Sequence, residues 1–124
     1  MKTILIVEDN EKNMKLVRDI LRHHKYETLE AANGLDGVRI ASGSRPDLVL
    51  MDIQLPGMNG IDALKVLRAD AATARIPVIA VTASVMQQDR NLITEAGFDG
   101  YIGKPINLKE FVDTVRAMVE GETK

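Results

Sequence analysis

An α/β fold built on a parallel sheet is predicted by three features of the sequence. Short apolar runs, Thr3-Ile-Leu-Ile-Val7, Leu48-Val-Leu-Met51 and Val78-Ile-Ala-Val81, read as strands buried on both faces. Between them lie segments whose apolar residues recur at helical spacing. Each run stops at a polar or acidic residue: Glu8-Asp9, Asp52 and Thr82. Five strands alternating with five helices argue for a parallel sheet with helices on both faces. Alternation alone leaves the strand order open.

Taken in order, the first strand ends in Glu8-Asp9-Asn10, and Asn10 is the expected N-cap of the first helix. Met14, Val17, Ile20 and Leu21 form its apolar stripe. His23 and His24 fall at its end, where they complement the helix dipole; no partner for a phosphotransfer or metal role is in view. The stretch 26–31 alternates and is more polar, which suits an edge strand. Asn33-Gly34 opens a short helix through Val38 and Ala41, with Gly43 expected to close it.

The third strand, bounded by Pro46 and Pro56-Gly57, ends at Asp52. Asn59 is expected to cap a helix carrying Ile61, Leu64, Val66 and Leu67. The fourth strand runs from Val78 to Val81 and ends in Thr82-Ala83-Ser84. Ser84 and Gln87 make a capping-box pattern for a fourth helix, stopped by Gly97. A short fifth strand over 98–102 leads to Gly103-Lys104-Pro105. Asn107 and Glu110 make another capping box, and Leu108, Phe111, Val112, Val115, Met118 and Val119 line the last helix. Met14, Met51, Met58, Met86 and Met118 read as filler, with Met86 a candidate for a partner face.

At 124 residues the chain is expected to be one domain, 1–124, large enough for a real core. It is 45% hydrophobic and 27% charged, with a net charge of −2 that gives no general attraction to nucleic acid or an anionic membrane. With no cysteine there is no disulfide framework or thiolate metal site. No signal peptide or transmembrane stretch is found, which favours the cytoplasm.

The chemistry gathers at the strand ends. In open α/β sheets, ligands bind beyond the carboxyl ends of the strands at a topological switch point. Under the flavodoxin-like order 2-1-3-4-5, strands one and three flank that point, so Glu8, Asp9 and Asp52 crowd there, with Thr82 and Lys104 alongside. Two carboxylates about 5 Å apart repel by roughly 3 kcal/mol at an effective dielectric near 20. One lysine does not offset three such pairs, so a proton or a hard divalent cation must. Oxygen-only donors suit Mg²⁺, expected on Asp9, Asp52 and a backbone carbonyl, with Glu8 acting through water. A phosphoryl group there would find Asp52 as nucleophile, Lys104 as countercharge and Thr82 as hydroxyl donor.

Glu8-Asp9, Asp52, Pro56-Gly57, Gly60, Thr82-Ala83 and Lys104-Pro105, in this order and spacing, resemble the receiver domain of two-component response regulators. The resemblance covers nearly all of the chain. It implies that Asp52 is the phospho-acceptor and that Glu8 and Asp9 are the acidic pair holding Mg²⁺, with Gln54 lending its backbone carbonyl. It further implies that Lys104 pairs with the phosphoryl oxygens and that Thr82 and the Ala83 N–H complete their cradle. Tyr101 matches the aromatic that swings inward when Thr82 engages, and a cis Lys104–Pro105 bond is expected. The implied donor is a sensor histidine kinase or a histidine phosphotransfer protein. The implied readout face is helix four, strand five and helix five, contacting a downstream protein. Gln54 and Ser84, two positions past Asp52 and Thr82, are expected to border the phosphoryl group and to tune its lifetime.

Because the chain stops soon after the fifth helix, a stand-alone receiver is expected, signalling by protein contact or by onward phosphorelay. Asp9-Asn10, Asn13-Met14-Lys15-Leu16 and the stretch from Met51 to Pro56 look most like the DivK-type single-domain regulators, and also resemble receivers fused to hybrid kinases. Two other classes compete. A haloacid dehalogenase-type phosphatase needs a second acid two residues after its nucleophile, where this chain has Gln54. A flavodoxin-like carrier needs a Ser/Thr-rich phosphate loop where this chain has Glu8-Asp9. No Walker-type glycine loop is present.

Overall fold

The computed structural model describes residues 2–83 and 87–120. The expected capping residue Ser84 and the candidate contact residue Met86 lie outside the described residues. The elements follow as β1 (Thr3–Val7), α1 (Glu11–His23), β2 (Glu27–Ala31), α2 (Gly34–Ser44), β3 (Leu48–Asp52), α3 (Gly60–Ala69), β4 (Val78–Thr82), α4 (Gln87–Ala96), β5 (Gly100–Gly103) and α5 (Leu108–Glu120). All pairings are parallel, and the sheet order is β2-β1-β3-β4-β5. The flavodoxin-like order expected for the chain is therefore the one it adopts.

Strand alternation divides the core into two layers. Ile4, Ile6, Leu48, Leu50, Ile79, Val81 and Ile102 point to one face, where Met14, Val17 and Leu21 of α1 and Phe111, Val115 and Val119 of α5 cover them. Leu5, Val7, Val49, Met51, Val78 and Ala80 point to the other, under Ala41 of α2, Ala63, Leu64 and Leu67 of α3, and Ile93 of α4. β1, β3 and β4 are buried almost throughout, whereas β2 at the edge keeps Glu27 and Glu30 in solvent.

The helix starts follow the caps read from sequence. Asn10, Asn33, Asn59 and Asn107 each accept a backbone N–H three residues on through the side-chain oxygen. Gly97, at φ 106°, takes the left-handed turn after α4.

Four local expectations are corrected. Gly43 does not end α2; the helix runs to Ser44 and Arg45 adopts the left-handed conformation at φ 47°. Leu108 falls on the solvent face of α5, where Phe111, Val115 and Val119 take the inward positions. β2 begins at Glu27 rather than Tyr26, whose buried ring instead sends its O–H to Glu120 Oε2 at 2.9 Å. β5 begins at Gly100, after the buried Phe98.

Candidate functional site

The parallel register builds the site. Val7 pairs with Met51 and Asp52 with Val81, so the residues just past β1 lie beside the end of β3. Glu8 follows Val7, and its N–H donates to the Ala31 carbonyl at 3.0 Å, extending the ladder by one residue. On β5, Gly103 pairs with Thr82, and Lys104 comes next, its N–H donating to the Thr82 carbonyl at 2.8 Å. By alternation Glu8, Asp52 and Lys104 all emerge on the face covered by α1 and α5, with the parity of Ile6, Leu50 and Ile102.

They meet there. Lys104 Nζ stands 3.1 Å from Glu8 Oε1 and 3.1 Å from Asp52 Oδ2. Asp52 Oδ1 accepts the Gln54 N–H at 3.1 Å, and Glu8 Oε2 accepts the Asn10 N–H at 3.2 Å. Glu8 and Asp52 are each only 5% exposed, while Asp9 projects into solvent. Carboxylate oxygens of Glu8, Asp9 and Asp52 can be chosen that all lie within 4.8 Å of one another.

The electrostatics follow from this crowding. Burial pushes the Glu8 carboxyl above its ordinary value, and the hydrogen bond and charge of Asp52 push it further, against a smaller pull from Lys104 and the Asn10 N–H. Burial alone would lower the Lys104 ammonium, but its two carboxylate partners more than reverse this and raise it. An all-oxygen donor set with no His or Cys matches a hard cation such as Mg²⁺, and the donor chemistry therefore fits that ion. His23 and His24 stack edge to face at 5.2 Å on the far end of α1 and take no part in the cluster.

Thr82 is buried at the end of β4, and Ala83 is exposed just beyond it. Tyr101 is half-buried and packs against the other core layer, on the α2–α4 face, so it and the Glu8–Asp52–Lys104 group lie on opposite sides of the sheet. The Lys104–Pro105 peptide is cis. Gly60 lies hard against the end of β3: a Cβ there would stand 2.5 Å from the Asp52 carbonyl oxygen.

The family model for the response regulator receiver domain matches residues 4–116. The chain belongs to this family. A receiver takes its phosphoryl group from a histidine kinase or a phosphotransfer protein, and it is a signalling protein rather than a classical enzyme. Among curated relatives, this receiver is 47% identical over 116 residues to the polar-differentiation response regulator DivK of Brucella anthropi, covering 94% of each chain. It is therefore a DivK-like response regulator acting in phosphorylation-dependent signalling.

Among solved structures, the receiver domain of a Pseudomonas aeruginosa sensor histidine kinase superposes with a TM-score of 0.89 at 34% identity, covering 96% of this chain and 98% of that one. That structure holds a magnesium ion in its active-site cleft. The receiver domain of a histidine kinase from Syntrophus aciditrophicus gives a TM-score of 0.90 at 31% identity, covering 100% of this chain and 94% of that one. Among the described residues of this receiver, no helix is long and apolar enough to cross a membrane.

Proposed function

We propose that Asp52 is the phospho-acceptor of this receiver. The observation that carries the reading is the shared ammonium: Lys104 reaches Asp52 and Glu8 at the mouth of the sheet, the place where charge must be neutralised as a phosphoryl group arrives. An Asp52 carboxylate oxygen forms the new P–O bond while the P–N bond to the donor imidazole breaks, and the imidazole leaves with its electron pair and takes up a proton. Water later cleaves the acyl phosphate, releasing inorganic phosphate and regenerating the carboxylate. Both steps are catalysed within the receiver itself; the chain turns over no other substrate.

Asp9, Asp52 and the Gln54 carbonyl would hold Mg²⁺, with Glu8 acting through water; the ion supplies charge neutralisation. In the transfer, Lys104 compensates the phosphoryl oxygens, and Thr82 with the Ala83 N–H completes their cradle. Drawing Thr82 and Lys104 inward biases a pre-existing two-state loop and the Tyr101 rotamer, and so the face formed by α4, β5 and α5 that meets a downstream protein. Gln54, two residues past Asp52, borders the phosphoryl group and sets its lifetime; the same role expected of Ser84 falls outside the described residues. We read residues 1–124 as one receiver domain acting in the cytoplasm; the 94% of the Brucella regulator that the chain spans supports the single domain. It takes its phosphoryl group from a sensor kinase or phosphotransfer protein, acts without nucleic acid or membrane, and signals by contact or relays the group onward.

Incubation with a panel of phosphorylated kinases tests this. Stoichiometric, acid-stable and base-labile label that disappears in Asp52→Asn is the expected result. Label that persists in Asp52→Asn overturns the assignment, as would sustained turnover of a generic phosphate ester.

A further inference from the structure

We infer that Gly34, at the start of α2, is a positioning residue for the loop that carries the Gln54 carbonyl. The inference rests on the assignment of the Gln54 carbonyl and Asp52 to Mg²⁺. Segment 53–59 leaves β3 at Asp52 and enters α3 at Gly60. Its near end is tied down: the Ile53 N–H donates to the Val81 carbonyl at 3.2 Å and the Gly60 N–H to the Ile53 carbonyl at 2.9 Å. Its far end rests on α2. A Cβ built on Gly34 would stand 2.7 Å from the Met58 carbonyl oxygen and 3.3 Å from Met58 Cβ.

The rest does not move freely. Asn33 caps α2 through Asp36, accepting its N–H at 2.8 Å and donating to its carboxylate at 3.1 Å. Three residues after Gly34, on the same side of the helix, Gly37 lies so close to β1 that a Cβ would be 2.8 Å from Val7 Cγ2. Two side-chain-free positions thus seat one helix on two things at once: the strand residue preceding Glu8, and the loop carrying Gln54. The obstructing atom at Gly34 is a main-chain carbonyl, which no rotamer change removes. A methyl group there forces loop and helix apart by roughly half an ångström, given the normal limits of non-bonded carbon–oxygen approach. Mg²⁺ demands ligands at about 2.0–2.1 Å in near-ideal octahedral geometry, so even part of that shift, passed along the loop from Met58 to Gln54, makes the Gln54 carbonyl a poorer ligand.

The test is the Mg²⁺ affinity of the full chain, followed by calorimetry and by amide shifts of residues 53–59. Gly34→Ala is expected to raise Kd about tenfold, the size of effect seen for outer-shell supports of metal sites. Gly43→Ala makes the same change in the same helix where no neighbouring atom lies within 4 Å, and is expected to leave Kd unchanged. Wild-type affinity in Gly34→Ala overturns the inference alone, as does an equal loss in Gly43→Ala. Absence of any magnesium response in the wild type overturns the metal assignment and this inference with it. Should Gly34→Ala not fold, Met58→Ala trims the side-chain part of the same packing from Cγ outward and leaves the carbonyl in place; a rise in Kd of about threefold is expected, below the outer-shell range because the main-chain contact stays, and an unchanged Kd overturns it.

Discussion

Glu8 and Asp52, from the ends of neighbouring strands, share one ammonium: Lys104 Nζ is 3.1 Å from a carboxylate oxygen of each. Two buried acids on a single base leave the site short of positive charge. That deficit links the stability of the domain to pH, to divalent cations and to Lys104 itself.

Replacing Lys104 by Met keeps the volume and removes the charge. With two buried carboxylates left uncompensated, the metal-free protein is expected to lose about 3 kcal/mol of stability at pH 7. Urea titration measures the loss. Part of it should return on adding Mg²⁺, and part on acidification, because Glu8 then protonates. A variant as stable as wild type without metal would refute the account of the charge deficit.

The pH dependence has a definite sign. Because the Glu8 carboxyl is raised in the fold, its contribution favours folding below its ordinary value of 4.5 and is lost as pH rises through the higher folded value. Lys104, also raised, keeps its contribution until pH passes its ordinary 10.5. Glu8→Gln mimics the protonated acid, so in metal-free buffer it should be more stable than wild type at pH 7, with the advantage fading towards pH 4.5. The wild-type proton linkage is limited to 1.36 kcal/mol per pH unit for one group. Thermal melts across pH 4–8 decide the matter; an advantage that grew on acidification would contradict the assignment.

Asp9 belongs to the same acidic cluster but makes no ion pair with Lys104 within 4 Å. Asp9→Asn should therefore relieve repulsion without breaking a pair, stabilising the metal-free domain by on the order of 0.5–1 kcal/mol. The same change should abolish the stabilisation by Mg²⁺, which in wild type is expected to reach about 2.7 kcal/mol at a hundredfold excess over Kd. Melting with and without Mg²⁺ reads both effects, and a variant that still gains stability from the ion would exclude Asp9 as a ligand.

Away from the site, Arg68 at the end of α3 ties three segments together. Its guanidinium donates to the carbonyls of Ala74, Ile76 and Gly97 and to Asp99 Oδ2, which also accepts the Val78 N–H at 2.8 Å. Arg68→Ala should cost about 2 kcal/mol through the half-buried groups left unpaired. Lys at this position restores little, because one ammonium lacks the planar fork. Equilibrium unfolding gives the cost, and faster hydrogen exchange at Val78 and Asp99 gives its location.

Arg68 also marks where sequence reading stops. Nothing at 68 distinguishes it from any helix-surface arginine until the turn after α3 and the start of β5 fold up around it. Gly34 is similar: its letter signals a helix start, while the contact with Met58 depends on how two loops from distant strands approach. Glu8 is a third instance. Its place at a strand end is legible, but its side chain turns inward onto Lys104 rather than outward beside Asp9.

The sequence by itself determined the alternation of strands and helices, the four Asn caps and the strand-end positions of Glu8, Asp9, Asp52, Thr82 and Lys104. These are local properties, set by apolar periodicity and by short-range hydrogen bonding of side chains to backbone. Only the tertiary structure decided the register that sets Glu8 beside Asp52, the side of the sheet on which Lys104 meets both, and the placing of Tyr101 on the opposite side. Register and facing arise from pairing between segments far apart in the chain, and a shift by a single residue would turn each of those side chains to the other face.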